Sequence, residues 1–193
     1  NPSDLSARTV FLSKATALAA RLNQSDADLT AAQESIDRQV SQTITDANRL
    51  TSQIADLNAK IAEAESRGQH ANDLRDQRGV ALAGLGELIE VSSIEDANGQ
   101  LTVFAGRGQV LVDRERTYQL VGVPDLGNNG LLAVHYDAGA GATANLSSVI
   151  QSGKLKGLLD VRDQTIPSLR GSLDTLASEV VTQVNQLHRA GFG

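Results

Sequence analysis

Cysteine, methionine and tryptophan do not occur in this 193-residue chain. Without thiols there is no disulfide framework and no thiolate metal site, and the chain is indifferent to redox compartment. Aromatic residues make up 3%, too few for the stacking platforms on which single-stranded nucleic acids lie. Basic residues are outnumbered 17 to 23, which leaves a formal charge of -6 and a pI near 5.0. Phosphate backbones need clustered Lys and Arg, so no nucleic-acid partner is expected. No apolar run approaches the roughly 18 residues of a membrane span, and no membrane partner is expected either. No signal peptide opens the chain. The start, "NPSDLSART", reads as an interior boundary from which an address could have been removed. At this length the chain can bury a real core, as one domain or two small ones.

Proline and glycine are missing from Asp4 to Arg67. Within that stretch Leu29, Gln33, Ile36, Val40, Thr43, Ala47, Leu50, Ile54, Leu57, Ile61 and Ala64 follow one another at an unbroken 4-3-4-3 spacing, and nine of the eleven are apolar. That is the seam of a helix with one buried face. Acid-before-base pairs at i,i+4 (Glu34–Arg38, Asp56–Lys60, Glu63–Arg67) support it from the polar side. An unbroken helix here would run about 95 Å; "NQSDAD", Asn23–Asp28, could cap a new helix at Ser25 or Asp26 and break it once. The seam can pack on the chain's own helices or on a second copy. The first is expected, so this chain alone should be monomeric. Gly68 suits the position just past the helix end. A second helix follows from Asn72 or Asp73 to about Leu88, weakened by Gly79, Gly84 and Gly86 unless a neighbour approaches closely there.

From Glu90 the texture changes to short β-branched runs. Turn signals at Asn98-Gly99 and Gly106-Arg107-Gly108 separate them, with further strands in "TYQLVGV" and "LLAVHYD" and a small flexible loop at Ala138–Asn145. Helix resumes near Ser152, with Leu155, Leu158 and Leu159 in one patch. A stripe follows through Leu169, Leu173, Leu176, Val180, Val184 and Leu187. Pro167 must either start a helix or kink one. The expected fold class is α+β: an elongated antiparallel helical bundle with a very long first helix and an inserted small antiparallel β subdomain. Residues 1–89 and 152–193 form a discontinuous helical stalk, and 90–151 form the insert, expected to be a separable passenger.

The chemistry-bearing residue types offer little. His70, His135 and His188 have no His or carboxylate partner at metal-ligand spacing. "GRGQ" at Gly106 lacks the Lys-Ser/Thr and helix of a phosphate loop, and a hairpin turn explains it. No serine stands in a nucleophile elbow, and the glycosylation triplets at Asn23 and Asn145 carry no weight. One constellation remains: "DLRDQRG" at Asp73–Gly79, echoed by "DVRDQTI" at Asp160–Ile166. Acid–base catalysis needs carboxylates pushed to unequal pKa values, and here each acid sits beside an arginine that holds it ionised. A structural ion-pair cluster of Asp73, Arg75, Asp76, Arg78, Asp160, Arg162 and Asp163 is expected instead. Asp76 lies twelve residues before Leu88 and Asp163 eleven after Ser152, about 18 and 17 Å along their helices. If the two helices leave the β insert side by side, the copies meet: Arg75 or Arg78 on Asp160 or Asp163, and Arg162 on Asp73 or Asp76.

Three blocks in order, "ITDANRLTSQIADLNAKIAEAE", "NDLRDQRGVALAGLGELIEVSSIEDANGQLTVFAGRGQVLV" and "SGKLKGLLDVRDQTIPSLRGSLDTLASEVVTQVNQLHRAGF", resemble the flagellar hook-associated protein 1 (FlgK) family of hook–filament junction proteins. The most specific matches are Asn72-Asp73-Leu74 with Asp76-Gln77-Arg78, Gly157-Leu158-Leu159 with Arg162-Asp163, and Asn185 with His188 and Gly191. The resemblance implies a non-catalytic structural protein without a cofactor, present here as an internal fragment. It implies export through the flagellum's own channel with the help of a chaperone, an extracellular location in the flagellum, and stacking in a ring with copies of itself and with neighbouring hook and junction proteins. The terminal heptad segments that line the inner tube of such proteins are not in this stretch. Two other classes stand beside it: a helical-bundle sensor module whose β insert binds a small molecule, and a hydrolase using Asp73, Asp76, Asp160 and Asp163.

Overall fold

A computed structural model describes residues 5–139 and 143–192. Helix α1, Leu5–Ser66, is a single run of 62 residues. The break offered by Asn23–Asp28 does not occur: the helix runs through it, and the Asp26 carboxylate is taken by Arg170 instead of capping a new start. Gln24 donates to Asp28 one turn on, and the Thr30 hydroxyl to the Asp26 carbonyl. The helix stops where the sequence supplies Gly68, at φ 73°. Gly68 N–H bonds the Glu65 carbonyl and Gln69 N–H that of Ala64, the pair of bonds that closes a helix on a left-handed residue. Helix α2, Asn72–Leu88, follows after a short turn.

Among the described residues seven strands come next: β1 Val91–Glu95, β2 Leu101–Ala105, β3 Gln109–Asp113, β4 Arg116–Thr117, β5 Gln119–Pro124, β6 Leu132–Asp137 and β7 Thr143–Asn145. They form two antiparallel sheets, β1-β2-β3-β4 and β5-β6-β7. The Asn98-Gly99 turn joins β1 to β2, with Gly99 at φ 74° and the Asp96 carboxylate accepting from the Asn98 and Gln100 N–H groups. The expected loop at Ala138–Asn145 is shorter than the sequence suggested: Thr143–Asn145 is strand, and residues 140–142 lie outside the described residues. Helix α3, Gly153–Asp160, runs through one wide turn, Val161–Thr165, with i→i+5 geometry, into α4, Ile166–Leu187; a second such turn covers His188–Phe192. Pro167 stands in the first turn of α4, so of the two roles open to it the structure shows the first: it starts a helix, one that follows the wide turn without a gap. The wide turn ahead of it accommodates the missing N–H.

The chain divides into two compact units. In the first, residues 1–35 and 162–193, α1 and α4 pair in antiparallel sense, as the matches Asp26–Arg170 and Gln33–Arg162 require. Their sides form an open apolar groove lined by Leu29, Leu169, Leu173 and Leu176. In the second, residues 36–161, the α1 seam is buried as its spacing demanded, with Val40, Thr43, Ala47, Ile54 and Ile61 fully enclosed. It packs with Ala81 and Leu85 of α2, Leu155 and Leu159 of α3, and strand residues Leu101, Val103, Leu111, Val112, Leu120 and Val134 in one core. Both expected boundaries, 89/90 and 151/152, fall inside this unit, because strands and helices bury each other. The two ends of the β segment meet. A Cβ at Gly153 (φ 87°) would lie 2.9 Å from Ile89 backbone atoms, and the Gln151 N–H donates to the Glu90 carboxylate at 3.1 Å.

Candidate functional site: the two charged clusters

The first copy of the repeated motif lies on α2 in the larger unit. Arg75 donates to Glu65 of α1 from Nε and Nη2, at 3.0 and 2.9 Å, and to Glu95 of β1 from Nη1. Arg78 is buried and donates from Nη1 to the Asn58 Oδ1 and to the Gly99 carbonyl, both at 2.7 Å; its Nη2 stands 3.2 Å from Glu95. The carboxylates that these arginines take are thus Glu65 and Glu95, where Asp160 and Asp163 were expected. The reason is positional: α2 packs antiparallel to α1, so Arg75 and Arg78 face the end of α1 and the β1–β2 turn. Asp73 and Asp76 occupy the first turns of α2, where the positive end of the helix favours acids.

Burial pushes the Glu95 carboxyl up, but the Arg75 and Arg78 guanidiniums outweigh it and hold the group below the ordinary carboxylate value. Arg75 is correspondingly raised by its hydrogen bonds to Glu95 and then Glu65. Arg75, Arg78, Glu65 and Glu95 compensate one another in place, which fixes a turn on a helix.

The second copy divides. Asp160 ends α3 in the larger unit and takes the Lys156 ammonium one turn before it. Arg162 and Asp163 belong to the smaller unit, where Arg162, 1% exposed, folds back on its neighbour with Nε and Nη2 on the two carboxylate oxygens at 2.7 and 2.8 Å. The Arg162 carbonyl accepts from Gln33 Nε2 at 2.8 Å. In the wide turn the N–H due to reach that carbonyl is the one Pro167 lacks, so the glutamine supplies what proline withholds. Gln33 was visible as a polar member of the apolar seam; its partner was not.

The larger unit holds residues that no motif singled out. Asn58, fully buried, uses both amide protons and both oxygen lone pairs: it donates to the Leu101 and Arg114 carbonyls and accepts from Leu101 N–H and Arg78. Asn48 bonds both backbone groups of Leu120. Among the described residues no three His, Asp or Glu side chains are placed to hold a metal.

A model of the helical domain of flagellar hook-associated protein FlgK matches residues 1–193. The chain belongs to the FlgK helical-domain family. Among its relatives, hook-associated protein 1 of Bacillus subtilis is 27% identical over 213 residues, covering 99% of this chain and 42% of that one. The Escherichia coli K12 protein is 27% identical over 195 residues, covering all of this chain and 36% of its own. In solved structures, the flagellar hook junction protein FlgK of Burkholderia pseudomallei superposes with a TM-score of 0.83 at 34% identity, covering 95% of this chain and 33% of that one. The chain thus spans less than half the length of these FlgK relatives. A long first helix with small antiparallel sheets set between helices, read from the sequence as α+β, is the fold of this FlgK domain.

Proposed function

We propose that this chain is a non-catalytic structural segment of a flagellar hook-associated protein, acting outside the cell at the junction of hook and filament. The observation that carries the reading is the match of the FlgK helical-domain family over all 193 residues. The charged clusters agree with it: Asp73, Arg75, Asp76, Arg78, Asp160, Arg162 and Asp163 serve structure, with the arginines tying helix to turn and helix to helix. In chain order residues 90–151 are an insertion whose ends are held together by Gly153 against Ile89. The partners of the whole protein are copies of itself in a ring, the adjoining hook and junction proteins, and a chaperone before export. The isolated chain is monomeric, its α1 seam being covered by its own unit.

The test is genetic. Cells of the source organism lacking the gene should keep their hooks, shed filament subunits into the medium and not swim; the intact gene should restore filaments. An Asp76→Asn gene should restore them equally, since a junction segment needs no acid there. Normal filaments in the deletion strain would refute the junction role, and loss of function by Asp76→Asn in a correctly folded protein would favour the hydrolase reading.

A further inference from the structure

Two asparagines of α1 do in the larger unit what a neighbouring strand does in a sheet. Leu120 belongs to β5, which pairs on one side only, with β6. In an antiparallel strand the N–H and C=O of one residue point the same way; those of Leu120 point away from β6 and would stand unpaired. Asn48 takes both, its Nδ2 donating to the Leu120 carbonyl at 2.8 Å and its Oδ1 accepting from the N–H at 2.9 Å. Leu101 opens β2 one residue beyond the point where β3 stops pairing with it, at Thr102. Asn58 fills that place in the same manner, at 2.7 Å to the carbonyl and 3.1 Å from the N–H. A carboxamide carries one donor and one acceptor face in the geometry of a peptide group, which is why asparagine can continue a ladder where the strand runs out.

We propose that Asn48 and Asn58 each act as a one-residue edge strand, and that these two carboxamides set the position of each sheet along α1. The apolar contacts beneath are slippery by comparison: the hydrophobic term depends on area and has no direction, so Leu and Val side chains tolerate a shift along the helix that two paired hydrogen bonds do not. The ten residues from Asn48 to Asn58 make a spacing of about 15 Å between the two anchor points. One sheet hangs on each. Asp37 adds a third contact for the β5–β7 sheet, its Oδ1 accepting from Leu132 N–H at 2.9 Å. The anchors are unequal. Asn58 is buried, with four bonds including one from Arg78, whereas Asn48 is half-buried with two. The β5–β7 sheet is therefore the one that lets go of α1 first.

Amide hydrogen exchange on the full chain, read residue by residue by NMR, tests this. In the unaltered protein Leu120 should exchange through a smaller opening than Leu101. Asn48→Leu removes both bonds and should speed exchange at Leu120 by about tenfold or more while Leu101 holds its protection. Asn48→Asp, which keeps the acceptor for the Leu120 N–H but sets a second acceptor oxygen against the Leu120 carbonyl, should restore only part of that protection. Asn58→Leu should act in the opposite sense, on Leu101; should it fail to fold, the Asn48 pair decides alone. The proposal is overturned if Asn48→Leu accelerates Leu101 and Leu120 equally, in proportion to lost global stability. It is also overturned if Leu50→Ala, a purely apolar change beside the anchor, reproduces the selective effect at Leu120.

Discussion

A methyl group added at Gly99 would press on the Arg75 guanidinium and on Glu65 at a backbone angle that side chains rarely adopt, whereas one added at Gly79 would meet nothing within 4 Å. The two glycines of the first cluster thus have opposite meanings. Gly79→Ala should raise the stability of the larger unit by about 0.5–1 kcal/mol, the ordinary helix preference, and Gly99→Ala should lower it by at least about 1 kcal/mol from the positive φ alone; urea denaturation followed by circular dichroism measures both. Glu95 makes a pH prediction. Its carboxyl is held below the ordinary value in the folded chain, so its pairing contributes fully above the unfolded value of about 4.3 and is lost as pH falls through the lowered folded value. The urea midpoint of Glu95→Gln should fall less steeply than that of the parent between pH 5 and about pH 3. At this scale the sequence was half legible. Arg75 and Arg78 stood out in the repeat, but Glu65 and Glu95 were not visible as their partners, because a carboxylate ten or twenty residues off leaves no periodic mark. Asn48 and Asn58 gave no signal at all: their partners are backbone groups, which every residue possesses.

At the scale of elements, what periodicity encodes was readable. The α1 seam, the Gly68 stop, the span of α2 and the hairpin at Asn98-Gly99 all stand where spacing and turn chemistry put them. The wide turn at Val161–Thr165 was not readable, since no residue type demands one; it follows from Pro167 needing relief and Gln33 being at hand. That account predicts a coupling. Gln33→Leu removes the hydrogen bond that the Arg162 carbonyl accepts and should cost about 1 kcal/mol or more in the helix pair. In the background of Pro167→Ala, where residue 167 regains its N–H, the same change should cost clearly less. Equal costs in both backgrounds, measured by thermal denaturation of the four chains of the cycle, would show that glutamine and proline act independently.

The whole molecule is uneven in its stability. Among the described residues the smaller unit buries only Gln33, Arg162 and Ile166, and leaves Leu169, Leu176, Val181 and Leu187 at least half exposed. The larger unit holds, among its described residues, a continuous core of nineteen buried apolar residues, nine of them between positions 90 and 151. Exchange in residues 5–35 and 166–187 should therefore proceed through low-energy openings while Val40 to Ile61 stays protected to the global limit. Replacing residues 90–151 by a Gly/Ser linker should abolish cooperative melting, contrary to the separable passenger that the change in texture at Glu90 suggested; composition reveals where strands begin and is silent on what they pack against. The anchors on α1 also set a schedule. Leu101, Leu120 and Leu132 follow their helix partners by 43, 72 and 95 residues, contacts of the long-range kind that form slowly. A chain emerging N-terminus first carries Asp37, Asn48 and Asn58 on a finished helix with nothing yet to hold. The larger unit closes only when Leu155 and Leu159 of α3 have also arrived, so a partly emerged chain stays pliable for most of its length, and its closing is deferred until the helix beyond the last strand appears.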